Sequence, residues 1–241
     1  MEPVSLGVSV VALVGLFDNA LNCFKHVKVA KSFGSDYQTY VLRLQNLRLR
    51  LSRWGEAVGL GEHFEAGDQP TTSVLPDAAV KQAEVLIGHI IQLFCDAEEL
   101  AGKFADKQSD HVAIDEDADG LGDASKLCQK MRNICVRRQR QSSAVTKARW
   151  SLFSKDKFVE LVGKLQSLVD DLVDLFPGET KVSIEQRLCD QEARELRGEK
   201  ALPKLQALAR TQDVRLAEAL AKLAQGVRKR DRINPSRHRP R

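Results

Sequence analysis

Apolar residues recur along this chain at steps of three and four rather than two, the period of helices that bury one face. In the first segment Leu6, Val10, Leu13, Phe17, Leu21 and Phe24 fall on one side of a helix, and Gly7, Asp18, Asn22 and Lys25 on the other. Gly34 ends it. Ser35 and Gln38 stand at capping-box spacing, and Tyr37, Val41, Leu44, Leu47, Leu51, Trp54 and Val58 carry a second helix. Gly59 to Pro76 reads as a loop. Beyond it Val80, Ala83, Ile87, Ile90, Phe94, Ala97, Ala101 and Phe104 repeat at heptad spacing. The acidic stretch Asp106 to Asp123 interrupts the pattern, with only His111 to Ile114 strand-like. A long helix from Leu121 to about Phe153 is expected next, with Leu127, Met131, Ile134 and Cys135 inward. Phe158, Leu161, Leu165, Leu168, Leu172 and Leu175 then step regularly to the stop at Pro177-Gly178. Ser183 and Gln186 again have capping-box spacing, and Pro203 divides the remaining helical material into two pieces. Leu205, Leu208, Leu216, Leu220, Leu223 and Val227 form the last helix before the basic run Arg228 to Arg241.

Composition narrows the picture. Aromatics make up 5% of the chain, which leaves little strand material, and 241 residues with 43% hydrophobic content suffice for one substantial core. The division expected is one helical domain over 1–227 and a basic tail over 228–241. A net charge of +4 is too small for a dedicated nucleic-acid binder, so no specific nucleic acid is expected. Five cysteines, an odd number and widely spread, fit a reducing compartment, hence the cytoplasm. Only the N-terminus, uncharged from Pro3 to Phe17, approaches the roughly 20 apolar residues of a membrane span. Its flanks are wrong for a secretory signal, because the basic residues come after the apolar run.

Particular blocks add a family resemblance. Gly15-Leu16-Phe17-Asp18-Asn19, Cys23-Phe24, Phe33-Gly34-Ser35-Asp36-Tyr37 and above all Leu51-Ser52-Arg53-Trp54-Gly55-Glu56-Ala57-Val58 resemble the N-terminus of the fungal HeLo domain of the HET-S/HET-s proteins. Arg137-Arg138-Gln139-Arg140-Gln141-Ser142, Trp150 and Phe176-Pro177 extend the likeness over roughly Glu2 to Cys189. The resemblance implies an all-α, HeLo-like bundle of about eight or nine helices with at most one very short β-hairpin. It also implies a mechanism: an amyloid-forming segment destabilises the domain, the N-terminal helix is released, and the protein attacks membranes. Beyond about Val227 this sequence offers no alternating, Asn/Gly-punctuated segment of that kind, so it is not expected to be a prion by itself; the resemblance admits an amyloid-bearing partner protein, while the trigger stays open. The positions matching Asn22 and Ser32 influence killing versus prion inhibition in the family. Neither carries a secure match here, which leaves that choice open.

The first helix admits two readings. Its apolar stripe packs on other helices, with Asp18 and Asn22 at the surface. Alternatively Leu6 to Phe24, about 28 Å long as a helix, is a latent membrane segment. Lys25, Lys28 and Lys31, with Arg43, Arg48, Arg50 and Arg53 behind them, would then be a basic flank for anionic lipid. The rival functional class is a non-inserting regulatory protein that acts through its helical surface, and self-association as a homodimer suits either. Asp115, Asp117, Asp119 and Gly120 resemble the start of a calcium loop, but Lys126 stands where the bidentate carboxylate belongs. Arg137, Arg138 and Arg140 read as a solvated or salt-bridged helix face. His26, His63, His89, His111 and His238 lie at no metal-ligand spacing from the cysteines, and no phosphate loop, nucleophile elbow or dinucleotide fingerprint is present. No cofactor, metal site or catalytic residue is expected.

Overall fold

The computed structural model describes residues 4–29, 36–61, 77–105, 121–139, 150–152, 154–175 and 179–233, with side chains over 12–27, 36–61, 78–102, 121–139, 154–175 and 181–226. Among them are eight helices: α1 (Val4–His26), α2 (Tyr37–Ala57), α3 (Asp77–Ala105), α4 (Ser125–Arg137), α5 (Lys155–Leu175), α6 (Glu179–Glu195), α7 (Leu202–Gln212) and α8 (Val214–Ile233). Two three-residue strands, β1 (Val27–Val29) and β2 (Trp150–Leu152), complete the described elements.

Helix α2 is the axis. Sixteen of its 21 residues are buried, and α1, α4, α5, α6 and α7 all pack on it. A helix enclosed on every side has no solvated face for its polar residues, so Gln45, Asn46, Arg48, Ser52 and Arg53 are buried along with Leu44, Leu47, Leu51 and Trp54. It stops where Gly59 turns left-handed at φ 83°. The Leu60 N–H then donates to the Gly55 carbonyl at 2.8 Å and the Gly59 N–H to that of Glu56 at 3.2 Å, closing the exposed carbonyls, while Leu60 itself is buried.

Helix α3 lies against α1 on one side and α5 on the other. Its expected stripe is the buried one: Val80, Ala83, Ile87, Ile90, Phe94, Ala97 and Ala101 all face the core. The same holds for Phe158, Leu161, Leu165 and Leu172 of α5. Over Ala78–Gly102, α3 is also long and apolar enough to cross a membrane by length and composition. The first helix is therefore not alone in approaching a span.

Several boundaries differ from expectation. The pairing of β1 with β2 is parallel, Val27 opposite Trp150 and Val29 opposite Leu152. These two strands are therefore not a hairpin, since α2, α3 and α4 lie between them and parallel neighbours need a crossover. The long helix expected from Leu121 to Phe153 is a 3-10 turn (Gly122–Ala124), α4 and then β2. Ser183 is not a cap, since α6 already begins at Glu179. Pro203 sits in the first turn of α7, where a missing N–H costs nothing. A further break falls at Asp213, separating α7 from α8 without any Gly or Pro.

Candidate functional site

Helix α1 presents Leu13, Phe17, Leu21 and Phe24 to the core at 0 to 1% exposure. Phe24 meets Phe94 of α3 edge-on at 4.8 Å between ring centres, and Phe17 tilts against Trp54 of α2 at 6.2 Å. The Phe17 ring rests on Gly55. A methyl group there would come within 2.8 Å of three ring carbons, so this approach of α1 to α2 requires a residue without a side chain. Leu6 and Val10 belong to the same helix by backbone; their side chains lie outside those described.

The other side of α1 is not solvated. Asp18 is 5% exposed, and Asn22 and Lys25 are half-buried. Asn22 Oδ1 accepts from Lys25 Nζ at 2.6 Å and from Gln139 Nε2 at 3.2 Å, and Gln139 also reaches the Asp18 carbonyl at 3.4 Å. Asp18 and Asn22, expected at the surface, are thus buried and half-buried, and Gln139, two residues past the end of α4, bonds to the main chain of one and the side chain of the other. Lys28 lies in β1 with its side chain outside those described, and Lys31 and Ser32 lie outside the described residues, as does the acidic run Asp115 to Gly120.

Of the four arginines read as a lipid flank, two are buried and two are partly covered and engaged within the protein. Arg48 and Arg53 are buried, Arg43 sits 5.9 Å from the Tyr40 ring centre, and Arg50 donates to Asp170 and, at 2.9 Å, to the Gln212 carbonyl. Arg53 donates to Glu192 from Nε (3.1 Å) and Nη2 (2.6 Å), and to Asp213 from Nη1 (3.0 Å) and Nη2 (2.8 Å). Burial alone would lower the Arg53 pKa. The carboxylates of Asp213 and Glu192 more than reverse that and hold the guanidinium well above its ordinary value. Of the two alternatives for Arg137 and Arg138 the salt-bridged one holds: Arg138 is buried and donates to Glu192 at 2.6 Å, while Arg137 outside it pairs with Glu195. Asp213 also accepts from the Leu216 N–H at 3.3 Å, capping α8. Next to this network Cys189 is a buried free thiol, pushed up to about 12 by burial.

Two halves of the molecule therefore join at consecutive residues. Arg138 belongs to the ion network of α2, α6 and the α7–α8 junction, and Gln139 to the polar side of α1. A cleft of about 230 Å3 beside the network is lined by Arg50, Asp170, Glu185, Gln212 and Arg215. Its guanidinium groups are engaged by its own carboxylates, Arg50 with Asp170 and Arg215 with Glu185. Among the described residues no group of three or more His, Cys, Asp or Glu could hold a metal ion.

A family model for prion inhibition and propagation, HeLo, matches residues 5–205. The chain belongs to the HeLo family. Heterokaryon incompatibility protein S of Podospora anserina is 31% identical over 225 residues, covering 91% of this chain and 74% of that protein. Heterokaryon incompatibility protein s of the same fungus matches to the same extent. The solved HET-s N-terminal domain superposes with a TM-score of 0.75 at 29% identity, covering 89% of this HeLo chain and 98% of that one. A doubly substituted form of that domain gives 0.73 over 87% and 97%. The all-helical fold expected from the resemblance is thereby established, and the match spans both the α1 seat and the Glu192 network of this HeLo domain.

Proposed function

We propose that this HeLo protein is a conformational effector of cell death or incompatibility, in which α1 is sheathed at rest and enters a membrane once the packing loosens. The burial of Leu13, Phe17, Leu21 and Phe24 on a helix uncharged from its start to Phe17 is the observation that carries this reading. Such a stripe is satisfied equally by a protein core or by acyl chains, so whichever is available decides where the helix lies. The 23 residues of α1 measure about 34 Å as a helix, enough for a hydrocarbon layer of roughly 30 Å. Asp18 opposes insertion by about 3 kcal/mol near the bilayer centre. Lys25, with Lys28 and Lys31, would stay with anionic headgroups at about 1 kcal/mol each. The action is conformational, with no catalytic step. The protein is proposed to reside in the cytoplasm until recruited to membrane, to self-associate, and to be triggered by an amyloid-bearing partner protein.

Dye release from anionic vesicles under mild denaturant tests the reading. Gly15 faces solvent, and a side chain added there meets open space, so Gly15→Asp leaves the fold intact. In a bilayer the same residue would sit near the middle of the span. The variant should match the parent in melting temperature and lose roughly a hundredfold in release. Equal release from both proteins would remove α1 from the mechanism, and no release from either would favour a non-inserting regulator.

A further inference from the structure

We propose that α3 is a second lipid-seeking segment, which enters the bilayer after α1 so that the inserted unit is a pair of helices rather than one. This rests on the insertion of α1. Its own support is independent: over Ala78–Gly102, α3 holds an 18-residue apolar window with no more than two charged residues. From Val85 to Cys95 there is no Asp, Glu, Lys or Arg at all. Eighteen residues rise about 27 Å, close to the hydrocarbon thickness. An ordinary core helix of this composition would be wrapped by its neighbours. Here only 28% of the window is buried, Val85 is 56% exposed, and Leu86, Ile91 and Leu93 are half-covered at the edge of the core. An open groove of about 370 Å3 runs between α3 and α5, with Leu93 and Leu168 on its walls.

Packing links the two helices. Helix α1 is one of the two long neighbours of α3, and the Phe24 ring lies on Phe94. When α1 departs, Phe94 loses that cover, and a helix already apolar at its outer edge becomes apolar on two sides. Water is then the worse solvent for it, and the bilayer that has just received α1 is the nearest alternative. Lys81 and Glu84 are the two charged residues of the window. Glu84 lies only about 4 Å from its middle, so it would enter with Lys81, three residues away, as its counter-ion, at a cost like that of Asp18 in α1. His89 and Gln92 are further polar groups within the span. They would face α1 or a second copy rather than acyl chains.

Fluorophore depth in vesicles of equal phosphatidylcholine and phosphatidylglycerol tests this with the full chain. Asn19 on α1 and His89 on α3 are both exposed, so Asn19→Cys and His89→Cys, each with Cys95→Ser and Cys23→Ala, accept a label on the folded protein. On mild destabilisation, quenchers carried on lipid acyl chains should reach both positions. Val85→Asp, an exposed substitution that spares the fold, should lower the inserted fraction at position 89 roughly a hundredfold while position 19 is quenched as before. Val85→Ala should behave like the parent. Quenching at 19 alone, or quenching at 89 that Val85→Asp does not change, would overturn the proposal and leave α1 insertion standing. Quenching at neither would overturn both.

Discussion

Replacing Gly55 by alanine loosens α1 without altering a single residue of it. The added methyl would lie within 2.8 Å of three carbons of the Phe17 ring, against an ordinary carbon contact of about 3.5 to 4.0 Å. The ring must therefore withdraw by about 1 Å or more. It is fully buried and backed by Trp54, so there is no void to receive it. Overpacking of this kind costs about 1 to 3 kcal/mol, and the gain in helix propensity from Gly to Ala returns at most about 1. The net loss expected is about 1 to 2 kcal/mol, or roughly 2 to 6 °C in melting temperature for a chain of this length. The loss should fall chiefly on α1. Thermal melting gives the total, and limited proteolysis gives the local share, with cleavage within residues 4–26 rising about tenfold and α5 unaffected. Vesicle leakage should rise in step. Gly55→Ala combined with Phe17→Leu should recover part of the loss, giving a favourable coupling in the double-mutant cycle. A melting temperature equal to or above the parent's would refute the reasoning, because helix propensity would then outweigh a contact too loose to hold α1.

The same geometry sets three further outcomes. Glu192→Gln leaves Arg138 and part of Arg53 buried without a counter-charge, and should lower the denaturant-measured unfolding free energy by about 3 kcal/mol while making α1 more protease-sensitive. Asp18→Asn removes the charge, and with it part of the roughly 3 kcal/mol insertion cost, so leakage at a given degree of destabilisation should rise; an unchanged curve would mean that Asp18 does not enter the bilayer. In alkali two buried groups act in opposite directions. Burial first, then Arg215 and Arg50, hold Lys181 down at about 8 against an ordinary 10.5. The unfolded chain therefore carries the extra proton between these values, and Lys181 contributes a rise in stability as pH increases through them. Cys189 keeps its proton to about 12 against an ordinary 9.0, so it contributes a loss above about pH 9. Melting curves of Lys181→Met should lack the rise, and those of Cys189→Ala should lack the loss.

Apolar periodicity was enough to place α1, α3 and α5 and the faces they bury, because a stripe at steps of three and four admits no other burial. The same method misplaces charge. It sends Asp18, Arg48 and Arg53 to solvent and leaves Arg138 between a solvated and a salt-bridged face, since charged residues are almost never fully buried unless paired. Their partners are invisible at that range: Arg53 finds Glu192 and Asp213 on α6 and at the α7–α8 junction, and the Asp18 main chain accepts from Gln139, far along the sequence. One signal was available. The block around Arg53-Trp54-Gly55 is the most specific part of the family likeness, and it is where the Phe17 seat and the ion network meet. Element ends were legible where Gly59 or Pro203 acted locally. They were not at Asp213, whose carboxylate caps α8 through the Leu216 N–H and also holds Arg53 of α2, a partner far away in sequence. The parallel pairing of β1 with β2 joins residues too far apart for any local pattern to register.

An α1 that exchanges a protein seat for a lipid one must also exchange its protection from protease. Digestion of the protein bound to anionic vesicles, with the protected fragments read by mass spectrometry, measures this without any substitution. After mild destabilisation a fragment covering residues 4–24 should survive with vesicles and vanish without them. Equal cleavage of that region in both conditions, with no dye escaping, would contradict the exchange.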